Sequence, residues 1–358
     1  MATTINIADR SIGLDYPTYF VADIGSNADG DLERAKYLIH LAKDCGADAV
    51  KFQNFRAAHI VSDYGFKALG SQVSHQSSWE QSVFEVYSAN SLPFDWTPIL
   101  VKTAADVGIH YFSSPYDFEA IDHLEPYVPA YKAGSGLLSW PQALEYMASK
   151  GLPVLIATGA SELGEVTRIV RNLQKLNSQL IVMQCNTNYT GSEAVFDHIH
   201  LNVLKTYGLL FPDLILGLSD HSPGHSTVLG AVALGARVIE KHFTDDNERV
   251  GPDHSFAMGP DAWRDMVDRT RELERALGST DKFVADNEMD TVVIQRRCLR
   301  TACSLTKGDI LTNDRVSVLR PAAPGAITAK DLAEVIGAEL LVDLPEGAPI
   351  NWGSILKP

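Results

Sequence analysis

Over the first 280 residues, short apolar runs alternate with longer amphipathic stretches. The runs are YFVADIG (19–25), ADAVKFQ (47–53), IHYFSSP (109–115), AYKAGS (130–135), PVLIATG (153–159), LIVMQCN (180–186), LILGLSD (214–220) and ARVIEKHF (236–243). Near-continuous apolar character is the signature of parallel strands covered by helices on both faces. Between them lie helix patterns such as DLERAKYLIHLAKDC (31–45), opening behind Asp29 or Asp31 as N-cap, and SELGEVTRIVRNLQKL (161–176), opening behind Ser161. Eight strand–helix units in this length predict a single (β/α)8 barrel, an α/β fold. The competing doubly wound sheet expects a glycine fingerprint after its first strand, and DIGSNADGD is not G-x-G-x-x-G.

Three segments break the rhythm. Residues 54–94 separate the second and third strands by more than one helix, as expected of an excursion at the active-site rim with a helix in it. The first 18 residues predict a small hairpin plugging the bottom of the barrel. Beyond residue 280, a polar, acidic stretch (281–292) reads as a linker, and the tail from 293 to 358, all short strands and turns, as a compact β-rich domain.

Composition narrows the partners. With 45 acidic residues against 30 basic ones, the net charge of -15 argues against binding nucleic acid or an anionic membrane. An anionic substrate must therefore meet locally placed lysines. MATTINIADR lacks the apolar core of a signal peptide, no run is long enough to span a bilayer, and the four cysteines show no C-x-x-C spacing. Cys45 and Cys185 read as buried free thiols, and the chain as cytoplasmic.

Catalytic groups of such a barrel belong at the C-terminal ends of its strands. There the sequence places Asp23; Lys51 and Gln53; Lys132 and Ser135; Thr158; Asn186, Asn188 and Tyr189; Ser219, Asp220 and His221; Glu240 and His242. Side chains alternate across a strand, so Lys51 shares a face with Gln53, Ser219 with His221, and Glu240 with His242. Neighbouring strands lie roughly 5 Å apart, which lets His221 and His242 reach one divalent cation together. Two imidazoles leave coordination positions open for water and a substrate oxygen. A single histidine would read as a hydrogen-bonded rim group; the pair points to a metal. Lys51 and Lys132, beside Ser135 and Ser219, form a phosphate or carboxylate pocket, with a Schiff-base lysine as the lesser alternative. Asp220, Glu240 and Asp253 read equally as groups orienting the histidines or as rim charges. RVGPDHSFAM (249–258) predicts an ordered loop closing over the eighth strand. His225 and His254 read as exposed polar residues, as do His40, His59, His75, His110, His123, His198 and His200.

Taken in order, ADIGSNADGD, VKFQ, YKAGSG, ATGAS, GLSDHSPG and EKHFTDDNERVGPD resemble the sialic acid (N-acetylneuraminate) synthase family. The tail KGDILTNDRVSVLRPAAPG…IGAELLVDLPEGAPI resembles its C-terminal antifreeze-like (SAF) domain. The resemblance covers nearly the whole chain. It implies a (β/α)8 barrel that condenses phosphoenolpyruvate with an N-acylated aldose to give a nonulosonic acid. It also implies manganese or magnesium on His221 and His242, and Lys51, Lys132, Ser135 and Ser219 holding phosphoenolpyruvate. Gln53, Tyr189 and Asp253 match positions near the sugar or metal, and Arg320 one that reaches the sugar in a neighbouring subunit of a domain-swapped homodimer. Thr158 and Asn186 belong to the same expected substrate set. Asp23 is expected either to bond sugar hydroxyls or to relay a proton. The chain departs from the family pattern at Asp23 (glutamate there), Ala28 (histidine), Leu137 (glutamate), Ala157 (serine) and Thr187 (often asparagine). The carboxylates facing the sugar have thus changed more than the anion and metal groups. The rival functions are a Schiff-base lyase on the same barrel and a sugar-binding barrel without catalysis.

Overall fold

The computed structural model describes residues 3–70, 76–77 and 79–357. The chain divides into two compact units, residues 1–278 and 279–358. The first opens with an antiparallel hairpin, β1 (Ile5–Ile7) and β2 (Arg10–Ile12). Eight parallel strands follow: β3 (Tyr19–Asp23), β4 (Ala49–Asn54), β5 (His110–Pro115), β6 (Tyr131–Ala133), β7 (Val154–Ala157), β8 (Leu180–Cys185), β9 (Ile215–Asp220) and β10 (Ala236–His242). Their hydrogen-bonded order is β5-β4-β3-β10-β9-β8-β7-β6, and β5 lies beside β6, so the sheet curls into the expected barrel.

Alternation along each strand decides what the barrel contains. One parity, including Tyr19, Val21, Ala49, Phe112, Leu155, Ile181 and Val238, fills the interior, where Ile5, Ile7 and Ile12 of the hairpin join it. The other parity, with Phe20, Val50, Tyr131, Ile156 and Ile239, packs against the helices. Steps of two from the interior set arrive at Asp23, Lys51, Lys132 and Glu240, all buried. The apolar core thus dictates which strand-end side chains face inward.

The helices follow local signals. Leu32–Asp44 starts where Asp31 accepts the amides of Glu33 and Arg34, and buries Ala35, Leu38, Ile39 and Ala42 at the three-to-four spacing of one helical face. Leu163–Gln174 begins one residue later than Ser161 predicts: Glu162 is its N-cap, and the Glu165 side chain reaches back to the Glu162 amide. Among its described residues, the 54–94 excursion holds the short helices Ala57–Ile60, Asp63–Ala68 and Val83–Ala89. No helix among the described residues is long and apolar enough to cross a membrane.

In the second unit, β11 (Cys298–Thr301) pairs antiparallel with β12 (Val316–Leu319), and β13 (Glu339–Leu340) with β14 (Ile355–Leu356). They enclose a small core that includes Leu299, Leu311, Val335, Leu340 and Ile350. A short helix, Met289–Gln295, occupies the end of the acidic stretch read from sequence as a linker.

Candidate active site

Strand register assembles the charged groups. β10 pairs with β3 so that His242 lies opposite Asp23, β3 pairs with β4 so that Asp23 lies opposite Lys51, and β10 pairs with β9 so that Glu240 lies opposite Ser219. Lys51 Nζ is 2.6 Å from Asp23 Oδ2 and donates to Ser114 Oγ at 3.3 Å. Lys132 Nζ is 3.0 Å from Glu240 Oε1, which also accepts the Ser219 hydroxyl at 3.2 Å. The four charges are buried and cancel. Burial works against the Glu240 carboxylate, but Lys132 and then Lys51 hold its carboxyl down to about 2. At Asp23 burial wins over Lys51, and the carboxyl is pushed above its ordinary range. Lys51 holds its proton more firmly than usual, Asp23 and Glu240 outweighing its burial. Asp23 Oδ1 and Glu240 Oε2 are buried without a protein partner, so the cluster presents unpaired acceptors.

The two histidine rings lie 5.5 Å apart. His221 Nδ1 is 3.0 Å from the Asn186 carbonyl, which assigns that nitrogen the proton and leaves Nε2 with the lone pair. His242 Nε2 faces Asp23 Oδ2 at 3.4 Å, while its Nδ1 is buried with no hydrogen-bond partner. Burial, joined by the other imidazole at His221, drives both pKa values down to about 4, so both rings are neutral at neutral pH. Asp253 Oδ2 lies 3.8 Å from His242 Nδ1 and accepts the Ser26 amide at 3.0 Å. Among the described residues no group of three or more His, Cys, Asp or Glu is arranged to hold a metal. What the site offers is two imidazole nitrogens, one of them an orphan, a donor set that suits an open-sided divalent cation.

Gly25 makes this approach possible. Its φ is +51°, and a Cβ there would stand 2.7 Å from Asp253 Oδ2 and 3.4 Å from His242 Cε1. Gly25→Ala is expected to lower kcat/KM about ten-fold or more by displacing Asp253 and His242, and to lower stability by about 1 kcal/mol. Steady-state kinetics beside a thermal melt check both.

Next to His242 opens a cavity of about 110 Å³, with Gln53, Tyr189 and Asp253 in its wall. The Tyr189 ring is tilted against His221 with centroids 4.3 Å apart, and Phe256 lies edge-on 4.9 Å from His242. Four aromatic residues, Phe55, Trp79, Tyr87 and Tyr116, supply much of the remaining wall.

Of the residues singled out in the sequence, Asp23, Lys51, Gln53, Lys132, Tyr189, Ser219, His221, His242 and Asp253 therefore meet in space. Ser135 stands just past the end of β6, the strand of Lys132, its Oγ accepting the Gly159 amide at 3.1 Å. Asn186 contributes its carbonyl to His221, while its side-chain amide donates to the His198 carbonyl at 3.1 Å. Thr158 is a correction. It falls on the outward parity of its strand, and its hydroxyl donates to the Met183 carbonyl and accepts from Tyr207 Oη, at 2.9 Å each. Ala157 holds the inward position. Asp220 is neither an orienting group nor a rim charge: it pairs with Lys241 at 2.6 Å behind the barrel wall and accepts from Ser222 and Thr227. Glu240 is the lysine partner just described. His254 is fully buried, against expectation, with Nδ1 2.8 Å from Thr244 Oγ1 and Nε2 2.8 Å from Asp29 Oδ1, tying its loop to the one after β3.

Of the other histidines, His40, His198 and His200 are exposed, as is His59, which pairs with Asp117; His110, His123 and His225 are half-buried with partners. His75 lies outside the described residues. Arg320 follows β12 in the second unit and is exposed. Ala28 and Leu137 are buried in the core, so two positions that are polar in the family pattern have joined the packing. Ser114 and the aromatic wall escaped the sequence reading. Ser114 sits at inward parity in IHYFSSP and was accessible to the same two-residue count; of the wall, Phe55, Trp79 and Tyr87 come from a segment with no period, and Tyr116 from just past β5.

Comparison with known proteins agrees with this architecture. The family model described as NeuB family matches residues 38–282, and the SAF domain model matches residues 296–356. The N,N'-diacetyllegionaminic acid synthase of Legionella pneumophila is 32% identical over 349 residues, covering 96% of each chain. The N-acetylneuraminate-9-phosphate synthase of Homo sapiens is 32% identical over 338 residues, covering 94% of this chain and 92% of that one. The crystal structure of spore coat polysaccharide biosynthesis protein spsE from Bacillus subtilis superposes with a TM-score of 0.65 at 28% identity, covering 99% of both chains.

Proposed function

The chain belongs to the NeuB family, and we propose that it condenses phosphoenolpyruvate with an N-acylated aldose, giving a sialic-acid-type sugar acid and phosphate. The observation that carries the reading is the buried pair of ion pairs, Lys51–Asp23 and Lys132–Glu240, beside two neutral histidines. Phosphoenolpyruvate is a multiple anion, and Lys51, Lys132, Ser135 and Ser219 are the donors to receive it. Its arrival competes with Asp23 and Glu240 for the lysines. Asp23, with its raised proton affinity, is the carboxylate suited to take a proton and release Lys51.

The reaction then needs the enol carbon to meet an aldehyde carbon. A carbon–carbon bond forms, water adds at the carbon bearing the phosphate, and phosphate leaves. Fixing both reactants in one water-poor cleft supplies much of the rate. A divalent cation, manganese or magnesium, held by His221 and His242 would polarise the aldehyde oxygen as negative charge develops on it. Gln53, Tyr189 and Asp253 line the cavity where the sugar would lie. A Schiff-base lyase requires a lysine present as free amine, whereas Lys51 is driven toward the ammonium form and Lys132 is held by Glu240. The proposal carries with it a homodimer in which Arg320 serves the sugar, as the family resemblance implies.

The test is a panel of aldoses incubated with phosphoenolpyruvate and the purified protein, read by phosphate release and product mass. The expected result is stoichiometric phosphate and a condensed sugar acid with at least one N-acylated aldose, abolished by chelation and restored by added manganese or magnesium. A pyruvate adduct trapped on lysine by borohydride, with activity indifferent to chelator, would overturn it.

A further inference from the structure

The loop that leaves β10 at Thr244 is tied at its base where it returns. Met258 donates to the His242 carbonyl at 2.8 Å, and Thr244 to the Met258 carbonyl at 3.1 Å. Between these ends Asp253 stands 3.8 Å from the unpartnered Nδ1 of His242. We infer that the next residue, His254, is a positioning residue: pegged between Thr244 and Asp29, it sets where Asp253 stands against His242. Its bearing on catalysis rests on the proposal above that His242 holds the cation; the peg itself does not.

His254 is fully buried and stands outside the cavity wall. Both ring nitrogens bond away from the site. Thr244 Oγ1 accepts the Asp246 amide and gives its own proton to His254 Nδ1 at 2.8 Å, closer than the Asp245 and Asp246 oxygens at 3.4 and 3.3 Å. Nε2 therefore carries the ring proton and donates to Asp29 Oδ1 at 2.8 Å. Asp29 is held in turn. Its other oxygen faces Arg34 Nε at 3.0 Å, and Arg34 grips Asp245 through both terminal nitrogens, at 2.9 and 2.6 Å. The ring has no slack, since a Cβ on Gly251 would stand 2.6 Å from His254 Cδ2. An apolar side chain would fill the same space; an imidazole bonded at both nitrogens also fixes direction. Asp253 shares its backbone with this peg, so its carboxylate meets the Ser26 amide at 3.0 Å, and His242 beside it, while the ring stays in place.

Nitrogen-15 spectra of the metal-free full chain, labelled at histidine, read the peg directly. The His242 ring resonances, identified by their absence in His242→Ala, should move in His254→Leu and in Asp253→Asn. They should move no further in the double variant, because both changes act through one contact. Manganese affinity by calorimetry should fall about ten-fold in each single variant and no further in the double, the loss expected when a ligand's outer partner is removed. Phosphoenolpyruvate affinity, carried by the lysines of β4 and β6, should stay within about two-fold. His254→Gln, which can still donate to Asp29, should regain most of the manganese affinity. Should His254→Leu not fold, Asp29→Gly removes the same bond from the other side, and glycine suits the positive φ of that position. Additive losses, or an equal loss of phosphoenolpyruvate affinity, would mean a general loosening and overturn the inference. Unmoved His242 resonances would overturn it as well. A wild type without manganese affinity would sink the two-histidine cation site, while the ring spectra would still decide the peg.

Discussion

His242→Ala is expected to give a folded barrel without measurable condensation, and His221→Ala to do the same. Both side chains stand at the ends of strands whose packing is carried further down by Val238, Ile239, Ile215 and Leu218. The loss of ring contacts with Tyr189 and Phe256 costs about 1 kcal/mol of stability, well short of unfolding. The catalytic loss is of another order. His221 is fixed by the Asn186 carbonyl with one nitrogen presented to the site, and His242 has a buried nitrogen with no protein partner. Removing either leaves a single imidazole, and manganese affinity should fall about a hundred-fold or more. Calorimetric titration with manganese, beside turnover in its excess, measures both. Wild-type activity in either variant would remove the two-histidine site from the proposal.

Lys132→Met is expected to weaken phosphoenolpyruvate binding by at least about 2 kcal/mol, because a charge-assisted contact in a desolvated pocket is lost. It should also destabilise the protein by about 3 kcal/mol, since Glu240 is left charged and buried without its partner. The double variant Lys132→Met/Glu240→Gln should regain most of the stability and none of the affinity, and so separates anion binding from folding. The pH dependence has a definite sign. Glu240 has its carboxyl lowered from 4.5 to about 2, so the stability it adds is full above pH 4.5 and is lost as pH falls toward 2. In Lys132→Met that acid-side loss should shrink or vanish. Unchanged substrate affinity in both Lys132→Met and Lys51→Met would reduce these lysines to structural counter-ions.

The histidine pair, the two lysines and Ser219 were legible because each follows its apolar run by an even number of steps, and the core sets that parity. Thr158 fails by one step: its strand ends at Ala157, and a one-residue offset turns a hydroxyl from the barrel interior to the helix layer. The same step hides Asp220 behind the wall with Lys241. His254 was misread because Gly-Pro punctuation marks a loop without telling which of its side chains turns inward. The pairing of Asp23 with Lys51, and of Glu240 with Lys132, needs strand register and barrel closure, which no single strand encodes. The aromatic wall was out of reach for a related reason: Phe55, Trp79 and Tyr87 follow no period and are brought together only by the short helices of their excursion.

The plug formed by Ile5, Ile7 and Ile12 has a temporal side. These residues are the first of the barrel unit to leave the ribosome, yet their cluster includes Ile215 and Val238, made more than two hundred residues later. The contacts that seal the barrel floor are therefore among the longest in sequence that the unit makes, and long-range contacts of this kind close late in folding. Until β10 is synthesised, the hairpin has no completed floor to enter. The nascent chain carries three isoleucines awaiting their partners, a reason for it to depend on chaperones more than the finished enzyme would suggest.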